Sequence, residues 1–157
     1  MQRTTAVRLL AAEVTDPELP MLTIEDLGIL RDVRVDAHGS VDVDITPTYT
    51  GCPALDVIAD DVERRIRNSG YSSVKVHVVL APAWTTEWIT DEGRRKLHKH
   101  GIAPPRPTSA PLMQLAVICP VCESPHTSEV AHFGSTPCQA LRRCDGCREP
   151  FSHFKEH

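Results

Sequence analysis

A chain of 157 residues, 41% hydrophobic, 24% charged and only 4% aromatic, has room for one domain, or for one domain plus a small module, and is not disordered throughout. Its formal charge is −4, with 13 basic against 16 acidic residues up to Pro111 and 4 against 5 beyond it. Neither part is basic, which argues against nucleic-acid or membrane-surface partners. No apolar run approaches the roughly 18 residues a membrane helix needs, and "MQRTTAVRLLAAEV" runs into charge too early for a secretion signal, so a cytoplasmic location is expected.

In chain order, Val7, Leu10 and Val14 recur at helical spacing, predicting a short helix over 5–14 that "DPELP" stops with two prolines. "ILRDVRV" and "SVDVDIT" alternate apolar and polar residues around "DAHG", predicting an antiparallel hairpin whose charged side chains face water. Leu55, Ile58, Ala59, Val62 and Ile66 trace one face of a second helix, with acids early, arginines late and Gly70 as its stop. "SVKVHVVL" predicts a third strand, and a short basic helix is expected over about 90–100. The fold class is therefore α+β, in the order helix, strand, strand, helix, strand, helix. The proline-rich "GIAPPRPTSAP" reads as a stiff linker. Expected boundaries are a domain over 1–103, a linker over 104–114 and a small module over 115–157.

The module carries "CPVC" and "CDGC", with 21 residues between them. Each CxxC turn points two sulfurs at one ion, and a hairpin of that length can bring two such knuckles together. Cys119, Cys122, Cys144 and Cys147 are the expected ligands of a structural zinc ribbon, whose metal supplies folding free energy that so small a core lacks. Four thiolates close the coordination shell, so hydrolysis is not expected there. A rubredoxin-like iron site has similar spacing, but Glu123 and Arg148 stand where it would carry glycine. Cys138 reads either as a buried apolar filler or as an extra thiol able to exchange with the metal site. His126, His132, His153 and His157 are expected at the surface and not as ligands.

Cys52, in "ITPTYTGCPAL", falls at the predicted N-cap of the second helix if Pro53 is its first residue. Free amides there favour a thiolate, while Asp56, Asp60 and Asp61 in the first turns oppose it. A small residue tolerated at a cap is the alternative. No E-x-x-H pair for a di-iron site and no G-x-G-x-x-G for a dinucleotide are expected in the chain, so it is not expected to turn over substrate alone.

"DPELPMLTIEDLGIL", "VDITPTYTGCPAL" and "LAPAWTTEWITDEGRRKLHKHGIAPP" resemble, in order, the MIP18 (DUF59) family of iron–sulfur assembly proteins over about residues 5–103. With "FGSTPCQALRRCDGCREPFSHFKEH" added, the whole chain resembles the D-subunit family of bacterial phenylacetyl-CoA epoxidase systems. That resemblance implies a small-sheet α+β domain followed by a zinc ribbon, and an accessory role in aerobic phenylacetate degradation. It implies assistance in assembling or inserting an iron–sulfur cluster in the [2Fe–2S] flavin reductase, which would be the first partner among the epoxidase components. It also maps the family's reactive cysteine onto Cys52, as a transient ligand or transfer thiol, and its acidic segment onto Asp16, Pro17 and Glu18. The implied cofactors are structural Zn2+ and a transient iron or iron–sulfur cluster. A scaffold role within the oxygenase complex, a homodimer, and a zinc-ribbon nucleic-acid binder are the competing expectations.

Overall fold

A computed structural model describes residues 1–109, 111 and 115–157 of the chain. The chain forms two compact units, one of residues 1–84 with 88–90 and the other of residues 85–87 with 91–157.

The first unit begins with α1 (Gln2–Ala12), which turns Val7 and Ala11 inward. It ends two residues before the predicted stop, and Val14 enters the core from the following turn, its amide bonded to the Ala11 carbonyl at 3.1 Å. The connection that follows is irregular but buried: Leu19, Leu22, Ile24, Leu27 and Ile29 are all at most 4% exposed. Backbone bonds Asp16 N to Leu22 O (3.0 Å) and Ile24 N to Val14 O (2.8 Å) close it. Such a segment stays inside only because its backbone groups find partners. At Gly28 (φ +70°) an added Cβ would stand 2.5 Å from the Trp88 carbonyl oxygen, so only glycine fits there.

β1 (Leu30–Val35) and β2 (Val41–Ile45) form the expected antiparallel hairpin, in register Val33↔Val43 and Val35↔Val41. Val33, Val41, Val43 and Ile45 line the core. Arg34 lies on the outer face between Asp32 and Asp44, at 2.7 Å from each. This alternation is the half-buried strand pattern read from the sequence.

α2 (Ala54–Asn68) buries Ala54, Ile58, Val62 and Ile66, one residue per turn. Each such large aliphatic side chain contributes about 1.5–3 kcal/mol by leaving water, which suffices to hold a helix of otherwise charged surface. α2 is a crossover: β3 (Val74–Val78) pairs parallel to β2, in register Val41↔Val74 and Ile45↔Val78, giving the sheet order β1-β2-β3.

The second unit contains α3 (Asp91–Lys99) and a four-stranded sheet. Its strands are β4 (Ile102–Ala103), β5 (Thr127–Ala131), β6 (Gln139–Cys144) and β7 (Pro150–Phe154), in the order β4-β7-β6-β5. β4 pairs parallel with β7, Ile102 opposite Ser152. α3 and β4, expected in the first domain, thus fold with the cysteine-bearing strands, because a two-residue strand has no periodicity and is defined only by its distant partner. Of the linker read over 104–114, Arg106 is bound to Glu156 by a 2.7 Å ion pair, while residues 110 and 112–114 lie outside the described residues. His153, expected at the surface, is buried at 3% exposure because its position in β7 points inward. Among the described residues no helix is long and apolar enough to cross a membrane.

Candidate functional site

Two thiol sites emerge, one in each unit. In the second unit the sulfurs of Cys119, Cys122, Cys144 and Cys147 all lie within 4.8 Å of one another. Cys119 and Cys147 are 3.8 Å apart, and Cys122 and Cys144 3.5 Å. Bonds of about 2.3 Å to a tetrahedral ion would separate sulfurs by about 3.8 Å, so the four could close on one metal ion with shifts of no more than about 1 Å.

The two knuckles share one backbone plan. Glu123 N bonds to Cys119 O (2.9 Å) and Arg148 N to Cys144 O (3.1 Å). Cys119 N bonds to Ser124 O and Cys144 N to Glu149 O, both at 3.0 Å. The turn forces Glu123 and Arg148 into the left-handed region, at φ 59° and 69°. Absence of glycine after each knuckle therefore left the turn unchanged, and it carries no weight against a knuckle of that shape.

Amides also set the charge of the cluster. The Cys147 N–H, 3.5 Å from the Cys144 sulfur, leads the effects that lower the Cys144 pKa to about 6. For Cys147 the Glu149 N–H works downward, but burial and the neighbouring sulfurs prevail and raise it to about 12. Cys144 thus forms its thiolate readily and Cys147 reluctantly, as two coupled thiols do when charge on one opposes charge on the other.

Cys138 stands just before β6, whose other end is Cys144, so a strand of about 20 Å separates it from the cluster. It is 4% exposed, with the Thr136 hydroxyl 3.0 Å from its sulfur. Its burial and its distance along β6 from the cluster fit a buried filler more closely than a thiol that exchanges with the metal site. Glu123 with His126 and Glu129 with His132 have E-x-x-H spacing, but they lie in a knuckle turn and at a strand end, not on paired helices.

In the first unit Cys52 is half-buried at the end of a turn opened by Gly51 (φ 83°). The helix starts one residue later than expected: its N-cap is Pro53, and Cys52 precedes it. The Cys52 amide bonds to Tyr49 O (3.3 Å) and its carbonyl accepts the Leu55 amide (3.2 Å). Burial raises the thiol pKa, hydrogen bonds from the Ala54 amide and the Tyr49 hydroxyl lower it, and the Glu18 and Asp16 carboxylates raise it further. The net shift is upward. The acids that oppose the thiolate are thus those of the "DPE" segment, and not Asp56, Asp60 and Asp61.

Asp16 is itself buried, and its Oδ1 accepts the amides of Glu18 (2.7 Å) and Leu19 (3.0 Å), which shapes the loop that presents Glu18. Burial raises the Asp16 pKa against those bonds, and burial together with Asp16 raises that of Glu18. Tyr49 is the member of this group that sequence reasoning passed over. Its only signal was its place three residues before the cysteine in a Gly-containing turn. Cys52 is thus a half-buried thiol whose protonation is governed by its burial, by the Ala54 amide and the Tyr49 hydroxyl, and by the field of the Glu18 and Asp16 carboxylates.

Comparison with known proteins matches residues 5–78 to a family model described as iron–sulfur cluster assembly protein. Residues 103–155 match one described as the PaaD zinc beta ribbon domain. An Escherichia coli (strain K12) protein, provisionally designated the D component of 1,2-phenylacetyl-CoA epoxidase, is 44% identical over 147 residues, which is 93% of this chain and 88% of that protein. An Fe-S protein maturation auxiliary factor of Porphyromonas gingivalis is 36% identical over 92 residues, covering 58% of this chain and 86% of the relative. Among solved structures, a DUF59 domain from Bacillus anthracis superimposes with a TM-score of 0.57 at 27% identity, covering 60% of this chain and 90% of that one. A conserved hypothetical protein from Thermotoga maritima gives 0.51 at 31% identity, covering 62% and 93%.

Proposed function

The chain belongs to the D-subunit family of 1,2-phenylacetyl-CoA epoxidases, and from that membership we propose that it is an accessory factor of such an epoxidase. In this reading it assists iron–sulfur cluster assembly or insertion in the reductase component and does not itself oxidise substrate. The observation that carries the reading is the division of labour between its thiols. Four cysteines converge on one point in the ribbon, leaving Cys52 outside that set and within the electrostatic field of Glu18 and Asp16. The unit that holds Cys52 is the one matched to iron–sulfur assembly proteins.

In the ribbon, four sulfurs around one point suit zinc in a structural role, holding β6 and β7 to the turn at Cys119. Cys52 would act by offering its sulfur transiently. Its raised pKa keeps most of the thiol protonated at neutral pH, and approach of a cation would displace that proton. The neighbouring carboxylates would draw the same cation in.

The test is co-production of the epoxidase components with wild-type chain or with Cys52→Ser. The expected result is a variant that folds and keeps its ribbon metal while the reductase loses most of its iron and sulfide. A reductase with full iron and sulfide would refute the role for Cys52. If, in addition, the chain co-purified stoichiometrically with the oxygenase, the scaffold reading would take its place.

A further inference from the structure

The sheet of the second unit carries a cationic cavity that neither thiol site uses. Glu129 of β5 lies opposite Arg142 of β6, and Arg142 opposite Phe151 of β7. Directly paired residues share a face, as do residues two apart on one strand, so His153 points to the same side. Lys155 continues that alternation, and Arg106 reaches in from the segment after β4. Together they line a cavity of about 210 Å³.

Three features of its wall point to a ligand. First, the His153 side chain is only 4% exposed, and Glu156 Oε1, 3.4 Å from its Nε2, interacts with it strongly enough to help lower the Glu156 pKa but at a distance and angle short of good hydrogen-bond geometry. Buried ring nitrogens normally have a partner, and this one faces a cavity. Second, Arg142 spends Nε and Nη2 on Thr127 at 3.0–3.3 Å, while its Nη1 makes only a 3.8 Å ion pair with Glu129. Third, Lys155 Nζ gives one bond to the His132 carbonyl (3.0 Å) and lies 4.3 Å from the Phe133 ring centre, which leaves ammonium protons for a guest.

Charge and shape narrow the guest. Arg106, Arg142 and Lys155 outnumber Glu129 and Glu156, and both carboxylates are already engaged. Glu156 takes the Arg106 Nε (2.7 Å), Nη2 (3.2 Å) and amide (3.0 Å), and Glu129 takes His132 (3.3 Å). The residual field favours an anion over a metal ion. A planar carboxylate is best gripped by a guanidinium fork, and the Arg106 fork is occupied. What remains is single donors on three residues that line the same cavity, Arg142, His153 and Lys155, an arrangement open to a tetrahedral oxyanion.

We infer that this cavity binds a phosphate group, held by Arg142 Nη1, His153 Nε2 and Lys155 Nζ. The group would come either from free phosphate or from a small phosphate ester.

The test uses the full metal-loaded chain titrated separately with inorganic phosphate and with adenosine monophosphate, followed by calorimetry and by the imidazole NMR signals. Saturable binding of one anion per chain, with a shift of the His153 signals, is expected. Arg142→Gln and Lys155→Gln should each weaken it at least about fivefold while ribbon metal content stays constant. Tighter binding of phosphate than of the nucleotide marks a free-anion site, and the reverse order a phosphate-ester site. Absence of saturable binding of either up to about 10 mM would overturn the inference. So would affinity unchanged in both variants, or binding that leaves His153 unshifted.

Discussion

Glu18, in the loop between α1 and β1, and Cys52, in the loop between β2 and α2, are electrostatically coupled: the carboxylate raises the pKa of the thiol. Removing the charge must therefore increase the thiolate fraction at a given pH. In Glu18→Gln, alkylation of Cys52 by iodoacetamide at pH 8 should run a few-fold faster than in the wild type, read by mass spectrometry of the peptide that contains it. An unchanged rate would separate the "DPE" segment from the cysteine.

Asp16 gives a pH-dependent counterpart. Burial leads the effects on it and raises its pKa in the folded state above the ordinary 3.8. A raised carboxyl binds its proton more tightly when folded, so its favourable contribution is present at low pH and is lost as pH rises through the folded value. At neutral pH the buried charge opposes folding. Asp16→Asn keeps the Oδ1 acceptor for the Glu18 and Leu19 amides and removes that charge. Its melting temperature should exceed the wild type's by a degree or two at pH 7, and the gap should close below pH 3.8. A gap that persists in acid would mean the charge is not its cause.

Much of this was legible in the sequence because it is local. The helix face through Ile58, Val62 and Ile66, the hairpin turning at Asp36–Gly39, and the paired CxxC motifs all announce themselves within a few residues. Contacts that close over long loops were not legible. The β2–β3 pairing, the junction of Ile102–Ala103 with β7, and the approach of Glu18 to Cys52 leave no periodic mark, because each depends on a partner elsewhere in the chain. His153 was misplaced for the same reason: "PFSHFKEH" alternates, but which face is inward is decided by β6 and β4.

The separation of Cys138 from the metal cluster makes the two kinds of cysteine distinguishable. Cys122→Ser, at the most exposed of the four cluster sulfurs, should lose its tightly held ion and with it the ordered signals of β5, β6 and β7. Cys138→Ser should retain one ion per chain, as measured by elemental analysis, and be destabilised by only about 1 kcal/mol. Its hydroxyl can still meet Thr136. Loss of metal from Cys138→Ser would place that thiol in the cluster.

Glu123 and Arg148 offer the sharpest test of the knuckle geometry, since each ends its CxxC turn at positive φ, where a side chain is disfavoured. A left-handed non-glycine residue costs roughly 1–2 kcal/mol, and glycine relieves this while adding about 0.4–1 kcal/mol of unfolded-state entropy. The balance favours the native state by about 0 to 1.6 kcal/mol per site, with a midpoint of about 0.8 kcal/mol. Glu123→Gly and Arg148→Gly should thus each raise the midpoint of chelator-induced unfolding. Both turns serve one ion, so the double variant measures how far the two knuckles are coupled through it. Alanine at either position keeps the Cβ and should give no such gain. If alanine stabilised as well as glycine, the benefit would come from removing the charge, and backbone strain would not be the cost these turns carry.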